Sequence, residues 1–333
     1  MKPFFRRCRA GLRQLIQICF IRPLSRLLTR RRRRKTHQLA HALGLAGEDD
    51  LVRIVTLKHT WLISLRSGNA WSKHRSWNPL GWLPHKYLGR RRDVLAKHDK
   101  IYDYFTSPAH VAWSKQEATL LLAAMIDRLQ IPLTGRSVLD ISGGNGHVAD
   151  ALRQRGARVT LTEYNDAAIE YARANLGVES VKYDFQTDLL SQLFRTPFDI
   201  VLLRAAVMFC RNLDRLAGDL RQITQAGSIV IIHKSVLPTL GVFLRTQCDE
   251  YNYQTLYQPA HLVEVFTRHG FKQRFTEVEV DPSPYVLDHD LDPALRYVGS
   301  FYECAAVRAL PAESPFAFRW RDRRWANLIF DTV

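Results

Sequence analysis

An apolar segment that ends in an aspartate and continues into a glycine-rich bend, VLDISGGNGHVADAL at residues 138–152, is the feature that most restricts the fold of this chain. Its three glycines let the backbone turn tightly and let a ligand approach without meeting a Cβ atom. The helix predicted after the bend directs its N-terminal N–H groups toward the same place. In an open α/β sheet, ligands bind at such bends, beyond the carboxyl ends of the strands. The sequence therefore predicts a ligand site at this bend.

Strand-like and helix-like segments alternate at short intervals on both sides of the bend. Helical periodicity separates β-branched, apolar segments, which is typical of a largely parallel sheet. We predict an α/β, Rossmann-like fold with a seven-stranded, mostly parallel sheet and helices on both faces. The predicted strands are RSVLDIS, ARVTLTE, VESVKYDF, FDIVLLR, GSIVIIH, KQRFTEVEV and, at residues 302–309, YECAAVRA.

Composition divides the chain into four parts. Residues 1–35 form a basic amphipathic arm that holds 13 of the 48 lysines and arginines and no acidic residue, so the remainder is nearly neutral. Residues 36–115 are predicted to be a mainly helical, tryptophan-rich extension with a long loop. Its aromatic side chains either pack a small cap onto the main domain or stack on bases or sugar rings. Residues 116–310 form the main domain, and residues 311–333 form a C-terminal tail.

The basic arm is open to three interpretations. Its arginines and its apolar stripe, between Leu12 and Phe20, suit the surface of an anionic membrane. The same charges suit nucleic-acid phosphates, or the arm is a solvated tail. No uninterrupted run of eighteen apolar residues occurs, so no membrane-spanning helix is predicted. The five widely spaced cysteines indicate reduced thiols and no metal site. We therefore expect a cytoplasmic protein, and a peripheral membrane contact is the first of the three interpretations of the arm.

The bend matches a dinucleotide motif only formally. Gly144 and Gly146 have the right spacing, and Glu163 lies at the distance where such proteins hold a ribose. However, a dinucleotide turn places its first glycine directly after the strand. In this chain Asp140 and two further residues come before the first glycine.

The segments VLDISGGNG and ARVTLTEYNDAAIEYARANLG together resemble the class I S-adenosylmethionine-dependent methyltransferases. The first motif of that family is an acidic residue followed by x-Gly-x-Gly-x-Gly. The chain keeps Asp140, Gly144 and Gly146 at the corresponding places and has Ser142 where the first glycine is usual. The resemblance covers roughly residues 100–308 and implies S-adenosylmethionine as the cofactor.

The resemblance also implies which side chains surround the cofactor. The acid that ends the second strand would bind both ribose hydroxyls, because a carboxylate can accept from two adjacent donors. Residues after the second and third strands would cover the adenine and contact its amino group, and an aromatic segment before the first strand would close as a lid. The implied cofactor-binding residues are Asp140, Ser142, Gly143, Gly144, Gly146 and Arg204 around the methionine and reaction centre, Glu163 on the ribose, Tyr164, Asp184 and Phe185 around the adenine, and Tyr102, with Tyr104 and Phe105, in the lid.

Two residues are candidates for a direct part in catalysis. His233 ends a predicted strand on the side of the cleft, and an imidazole near neutral pH can serve as a general base; alternatively it bonds to the backbone. Arg204 ends the predicted strand FDIVLLR, and in the family that this chain resembles cofactor and substrate meet at the corresponding strand. His110, in the predicted lid, is a weaker candidate for the base.

Three functions remain open from the sequence. The first is methylation of a small-molecule or glycan acceptor, including a lipid-linked one reached from the membrane surface. The insertion at residues 245–259, with Tyr251, Tyr253 and Tyr257, would form the wall of the acceptor site, or its tyrosines simply lie on the surface. The second is modification of RNA through the basic arm, and the third is cofactor binding without catalysis. The sequence does not identify the acceptor atom.

Overall fold

The computed structural model of the 333-residue chain describes residues 34–45, 51–55, 59–64, 66–74, 106–237, 253–280 and 324–333. A helix, α1, covers residues 34–42. The other helices are α2 (Pro108–Leu121), α3 (His147–Gln154), α4 (Asp166–Leu176), α5 (Leu190–Leu193), α6 (Leu213–Gln222) and α7 (Pro259–Arg268). The strands are β1 (Leu51–Val55), β2 (His59–Ser64), β3 (Ala70–His74), β4 (Ser137–Ile141), β5 (Arg158–Glu163), β6 (Glu179–Lys182), β7 (Phe198–Arg204), β8 (Thr224–Val236), β9 (Tyr253–Leu256), β10 (Phe271–Val280) and β11 (Arg324–Thr332).

Seven strands form the main sheet in the order β10-β11-β8-β7-β4-β5-β6. The pairs from β8 to β6 are parallel, whereas β11 pairs antiparallel with both β8 and β10. Successive residues of a strand point to opposite faces. Accordingly, Leu139 and Val138 belong to two separate cores, one on each face of the sheet. The predicted Rossmann-like α/β fold is confirmed.

Helix ends follow the capping chemistry of the sequence. Asn165 begins α4, since its Oδ1 accepts the Ala168 N–H at 3.0 Å, and Gly177 ends the helix in the left-handed conformation, with φ +62°. A side-chain cap satisfies an amide that has no partner within the helix, and glycine adopts a positive φ without a Cβ penalty. Both predicted ends of α4 are confirmed.

The prediction of a C-terminal tail at 311–333 is wrong, and the main domain does not end at residue 310. Strand β11 lies between β8 and β10, where the unexposed side chains of Ala326, Leu328 and Phe330 enter one core. Alternating apolar residues in RWANLIFDT explain this position, because a strand between two others must bury one face at least. Residues 302–309, the strand predicted from the sequence, lie outside the described residues.

The prediction that residues 36–115 are mainly helical is wrong for residues 51–74, whose described part consists of strands and a turn. Strands β1, β2 and β3 form an antiparallel meander, and β9 from the later insertion completes a four-stranded sheet with them. The aromatic and β-branched residues of LVRIV and HTWLIS favour strands. Because β9 belongs to residues 245–259, the N-terminal extension and this insertion form one unit.

Candidate functional site

Four polar side chains lie at or near the carboxyl ends of four neighbouring strands, on one face of the main sheet. Each of them lies two positions after an apolar residue of the core that α2 and α3 cover. The four are Asp140, Glu163, Arg204 and His233. Since the side-chain period of a strand is two, all four point toward that face. The parallel strands bring residues that are far apart in sequence to one edge.

The backbone turns sharply immediately beyond β4. Ser142, Gly144 and Gly146 have φ values of +56°, +62° and +84°. The turn is pinned to the neighbouring strand, because the Gly143 N–H donates to the Thr162 carbonyl oxygen at 3.2 Å. An L-residue in the left-handed region costs roughly 1–2 kcal/mol. Ser142, which departs from the family motif, nevertheless adopts this conformation.

Gly143 is required by packing. An ideal Cβ at this position would lie 2.2 Å from Leu161 Cδ1 and 2.3 Å from Asp140 Oδ2. Both neighbouring side chains are wholly buried, so neither can move aside into solvent. The bend is therefore fitted closely against the strands beneath it.

Glu163 holds the bend and the start of α4 together. Its Oε2 accepts the Gly144 N–H at 3.0 Å, and its Oε1 accepts the Tyr164 and Asn165 N–H groups at 2.8 and 3.1 Å. Burial raises the pKa of this carboxyl, and the three amide donors oppose that rise. An ionised carboxylate has about four acceptor positions, so one remains on Oε2. The ribose-binding role predicted for Glu163 depends on this remaining position.

Asp140 is completely buried beneath the bend. Neither of its oxygens has a hydrogen-bond partner among the described residues. Burial raises the pKa of its carboxyl to about 7, while Arg204 opposes the rise and Glu163 adds to it. A buried carboxylate without a donor is costly, so the folded protein favours the protonated form.

This burial predicts a pH dependence of stability. With a folded pKa of about 7 against an ordinary 3.8, the native state binds more protons than the unfolded state between these values. The free energy of unfolding should therefore fall as pH rises from 4 to 7, by up to about 4 kcal/mol. Urea unfolding of Asp140→Asn at pH 5, 6 and 7 should show a flatter dependence. The exposed-site control Asp127→Asn should keep the wild-type slope; an unchanged slope in Asp140→Asn would contradict the assignment.

The residues predicted around the adenine have different surroundings. Tyr164 is 57% exposed, and the Lys182 ammonium lies 5.8 Å from the centre of its ring. Asp184 closes a turn by accepting the Gln186 N–H at 2.8 Å. Phe185 packs edge-on against Tyr183 at the margin of the core. Tyr164 thus presents an open ring, whereas Phe185 is partly occupied by core packing.

Helix α2 covers the face on which the four polar side chains lie. Ser107 caps it, and Glu117 on α2 contacts Arg204, with Nη1 and Oε2 3.3 Å apart. The Arg204 guanidinium also lies 5.5 Å from the ring centre of Trp113. Tyr102, Tyr104 and Phe105, the residues predicted to form a lid, lie outside the described residues.

Two histidines beside Arg204 are held neutral. Burial, with a further contribution from the Arg204 charge, lowers the pKa of His110 to about 4. Burial, the neighbouring Lys234 and Arg204 together lower the pKa of His233 to about 3. His233 is 1% exposed, and its Nδ1 has no partner among the described residues. So weak a base accepts a proton poorly at neutral pH.

A substitution of His233 tests its predicted role. A general base contributes roughly 10²–10⁴-fold, but a buried imidazole of this low pKa should contribute much less. We expect His233→Gln to lower kcat by less than about tenfold and to leave the pH profile between 6 and 8 unchanged. Loss of a titrating group from that profile, with a fall of a hundredfold or more, would restore His233 as the base.

Sequence reasoning missed five residues of this site. Glu117 and Trp113 lie on α2, Trp325 and Asn327 on β11, and Lys234 follows His233. Lys234 was detectable as a lone charge within an apolar, β-branched strand. The others had no local signal, because their partners are remote in sequence. Among the described residues, no group of three or more histidine, cysteine, aspartate or glutamate side chains is arranged to hold a metal ion.

The residues of the site fit a nucleoside linked to an amino acid. The bend is free of Cβ atoms at Gly144 and Gly146, Glu163 keeps one acceptor position, and Tyr164 offers an exposed ring beside it. Cations at Arg204 and Lys234 supply positive charge at the neighbouring strand ends.

Comparison with known proteins agrees with this geometry. Residues 139–232 match the family model described as a methyltransferase domain. No curated protein matches the chain.

Three solved structures with a similar fold have low sequence identity to this chain. A putative methyltransferase from Bacillus halodurans is 16% identical, with 62% of this chain and 97% of that chain covered and a TM-score of 0.44. A TehB-like S-adenosylmethionine-dependent methyltransferase from Corynebacterium glutamicum is also 16% identical, with 68% and 100% covered and a TM-score of 0.36. Coclaurine N-methyltransferase, solved with N-methylheliamine and SAH, is 16% identical, with 65% and 71% covered and a TM-score of 0.44. Likenesses this distant do not bear on the substrate of the present chain.

Proposed function

We propose that this protein is an S-adenosylmethionine-dependent methyltransferase that methylates a small-molecule or glycan acceptor, since residues 139–232 match the methyltransferase-domain model. The observation that supports the site is the close fit of the bend after β4 against Glu163. This carboxylate fixes Gly144 and the start of α4 and retains an acceptor position at the strand edge. The bend and Glu163 both lie within the segment that matches the family model.

S-adenosylmethionine, when bound, supplies a methyl group on a positively charged sulfur. In the proposal, Glu163 accepts from the ribose, Tyr164 lies against the adenine, and the bend from Ser142 to Gly146 flanks the methionine portion. Arg204 lies at the carboxyl end of β7, beside β4. Its positive charge lowers the pKa values of Asp140, His110 and His233. Because transfer of a methyl group from sulfur requires in-line attack, most of the catalysis would come from alignment of the two reactants.

The acceptor wall predicted at residues 245–259 must be corrected at Tyr257. Tyr257 is 3% exposed, and its hydroxyl donates to the Cys210 carbonyl oxygen at 3.0 Å, so it packs inside the domain. Tyr251 lies outside the described residues. Strand β9 instead joins the tryptophan-bearing meander, with Trp71 opposite Thr255. We propose that this four-stranded sheet borders the acceptor side of the site.

The proposal also gives the basic arm, residues 1–35, a role in locating the enzyme. We infer that residues 1–35 hold a cytoplasmic enzyme at an anionic membrane surface, which would suit a lipid-linked acceptor. Nearly all of the arm lies outside the described residues. In the part that the structure describes, no helix is long and apolar enough to cross a membrane.

Calorimetry and labelled methyl transfer test the proposal together. We expect S-adenosylmethionine to bind and its labelled methyl group to enter a small-molecule or glycan fraction of a cell extract. Sedimentation with phosphatidylserine vesicles should be lost when residues 1–35 are deleted, while cofactor binding is retained. Label that enters RNA, with salt-sensitive RNA retention by the full chain, would favour the alternative of an RNA-modifying enzyme.

A further inference from the structure

Two cations of the site share one carboxylate oxygen. Lys234 Nζ lies 2.6 Å and Arg204 Nη1 lies 3.3 Å from Oε2 of Glu117. All three side chains are largely buried, with exposed fractions of 18%, 12% and 10% respectively. A buried charge needs a partner of its own. One carboxylate therefore serves two cations.

None of the other ionisable groups nearby, in the described part of the site, supplies a second negative charge for Lys234 and Arg204. His110 and His233 are neutral at pH 7. Asp140 is only partly ionised there, since burial raises its pKa to about 7. Glu279 is engaged by uncharged donors: Trp325 Nε1 at 2.5 Å and Asn327 Nδ2 at 2.8 Å. The described part of the site thus has capacity for a further anion.

The position of Lys234 is fixed by the strands around it. Its backbone is left-handed, with φ +54°, and its N–H donates to Oδ1 of the fully buried Asn327 at 2.9 Å. Its ammonium lies 5.0 Å from the centre of the Trp325 ring. Aromatic rings beside Lys234 and Arg204 attract cations and limit their hydration. Such a backbone costs energy, and strained conformations of this kind cluster at active sites and ligand-binding sites.

We propose that Lys234 and Arg204 bind an anionic group of the methyl acceptor, a carboxylate or a phosphate. This inference rests on the proposed function and adds the substrate class. The acceptor anion would take the place of, or add to, Glu117 as the partner of the two cations. Charge-assisted hydrogen bonds from two cations give such a group both affinity and orientation. Lys234 is then a specificity-determining residue, held in place by β11.

Calorimetry on the SAH-saturated protein tests this assignment, with inorganic phosphate and acetate titrated separately. Lys234→Met should weaken binding of the preferred anion at least tenfold, and Lys234→Arg should restore most of it. Glu117→Gln should strengthen binding severalfold, because it removes the competing carboxylate. Lys272→Met is the matched control and should bind as wild type does. Lys272 is exposed and lies at the end of the sheet opposite the carboxyl ends of the parallel strands.

Each outcome separates the acceptor site from the cofactor site. A wild-type protein that binds no SAH would refute the proposed function itself. Binding of SAH without either anion, or anion binding that Lys234→Met leaves unchanged, would refute only the anion site. An equal loss of SAH affinity in Lys234→Met would place the cofactor's own carboxylate on Lys234 and overturn the acceptor assignment. The stronger of the two anions identifies the acceptor group as phosphate or carboxylate.

Discussion

Gly143→Ala should remove cofactor binding and lower the free energy of unfolding by about 1–3 kcal/mol, the usual range for overpacking a close-fitting core. The added methyl group would lie 2.2 Å from Leu161 Cδ1 and 2.3 Å from Asp140 Oδ2, far inside contact distance. Because both side chains are buried, the bend must move away from β4 and β5. A bend displaced in this way no longer presents Gly144 to Glu163. Calorimetry with SAH and urea unfolding measure the two effects.

Gly218→Ala is the matched control for this substitution. Gly218 also has no positive φ, but its added Cβ would lie 3.4 Å from the nearest atoms of His269. Since Gly218 lies inside α6, alanine there should leave stability unchanged or raise it by about 0.5–1 kcal/mol. Normal SAH binding by Gly143→Ala would show that the bend does not form the cofactor site.

Glu163→Ala should weaken SAH binding about a hundredfold or more. The substitution removes the acceptor of three amide N–H groups and the position proposed for the ribose. A buried donor left without a partner costs about 1–3 kcal/mol; the Asn165 N–H is buried and the other two are partly buried, so a loss of at least about 2 kcal/mol in the free energy of unfolding is expected. Glu163→Gln keeps one oxygen acceptor and should lie between the two.

An analogue of SAH without the two ribose hydroxyls separates the structural and binding roles of Glu163. If the carboxylate binds the ribose, Glu163→Gln weakens SAH more than it weakens the dideoxy analogue. Equal losses for both ligands would mean that Glu163 only supports the bend. Wild-type affinity in Glu163→Ala would rule out the ribose assignment altogether.

Local features of the fold were predictable from the sequence. The strand that contains Asp140, the glycine bend and the ends of α4 at Asn165 and Gly177 follow from short-range rules. Side-chain periodicity, caps and positive φ depend on residues within a few positions of one another. The sequence prediction missed β1 to β3 and β11, although the aromatic, β-branched and alternating apolar residues of these segments favour strands.

Only the tertiary structure brought the parts of the site together. Glu117 meets Arg204 across 87 positions and Lys234 across 117, and β11 supplies Asn327 from the far end of the chain. It also gave a reason for Gly143, whose missing side chain makes room for Leu161 and Asp140. The sequence by itself determined most elements of the parallel part of the main sheet and the glycine bend, because those depend on neighbouring residues. The strand order decided which charges share a carboxylate, since pairing between distant strands is set by packing of the whole sheet and has no local pattern.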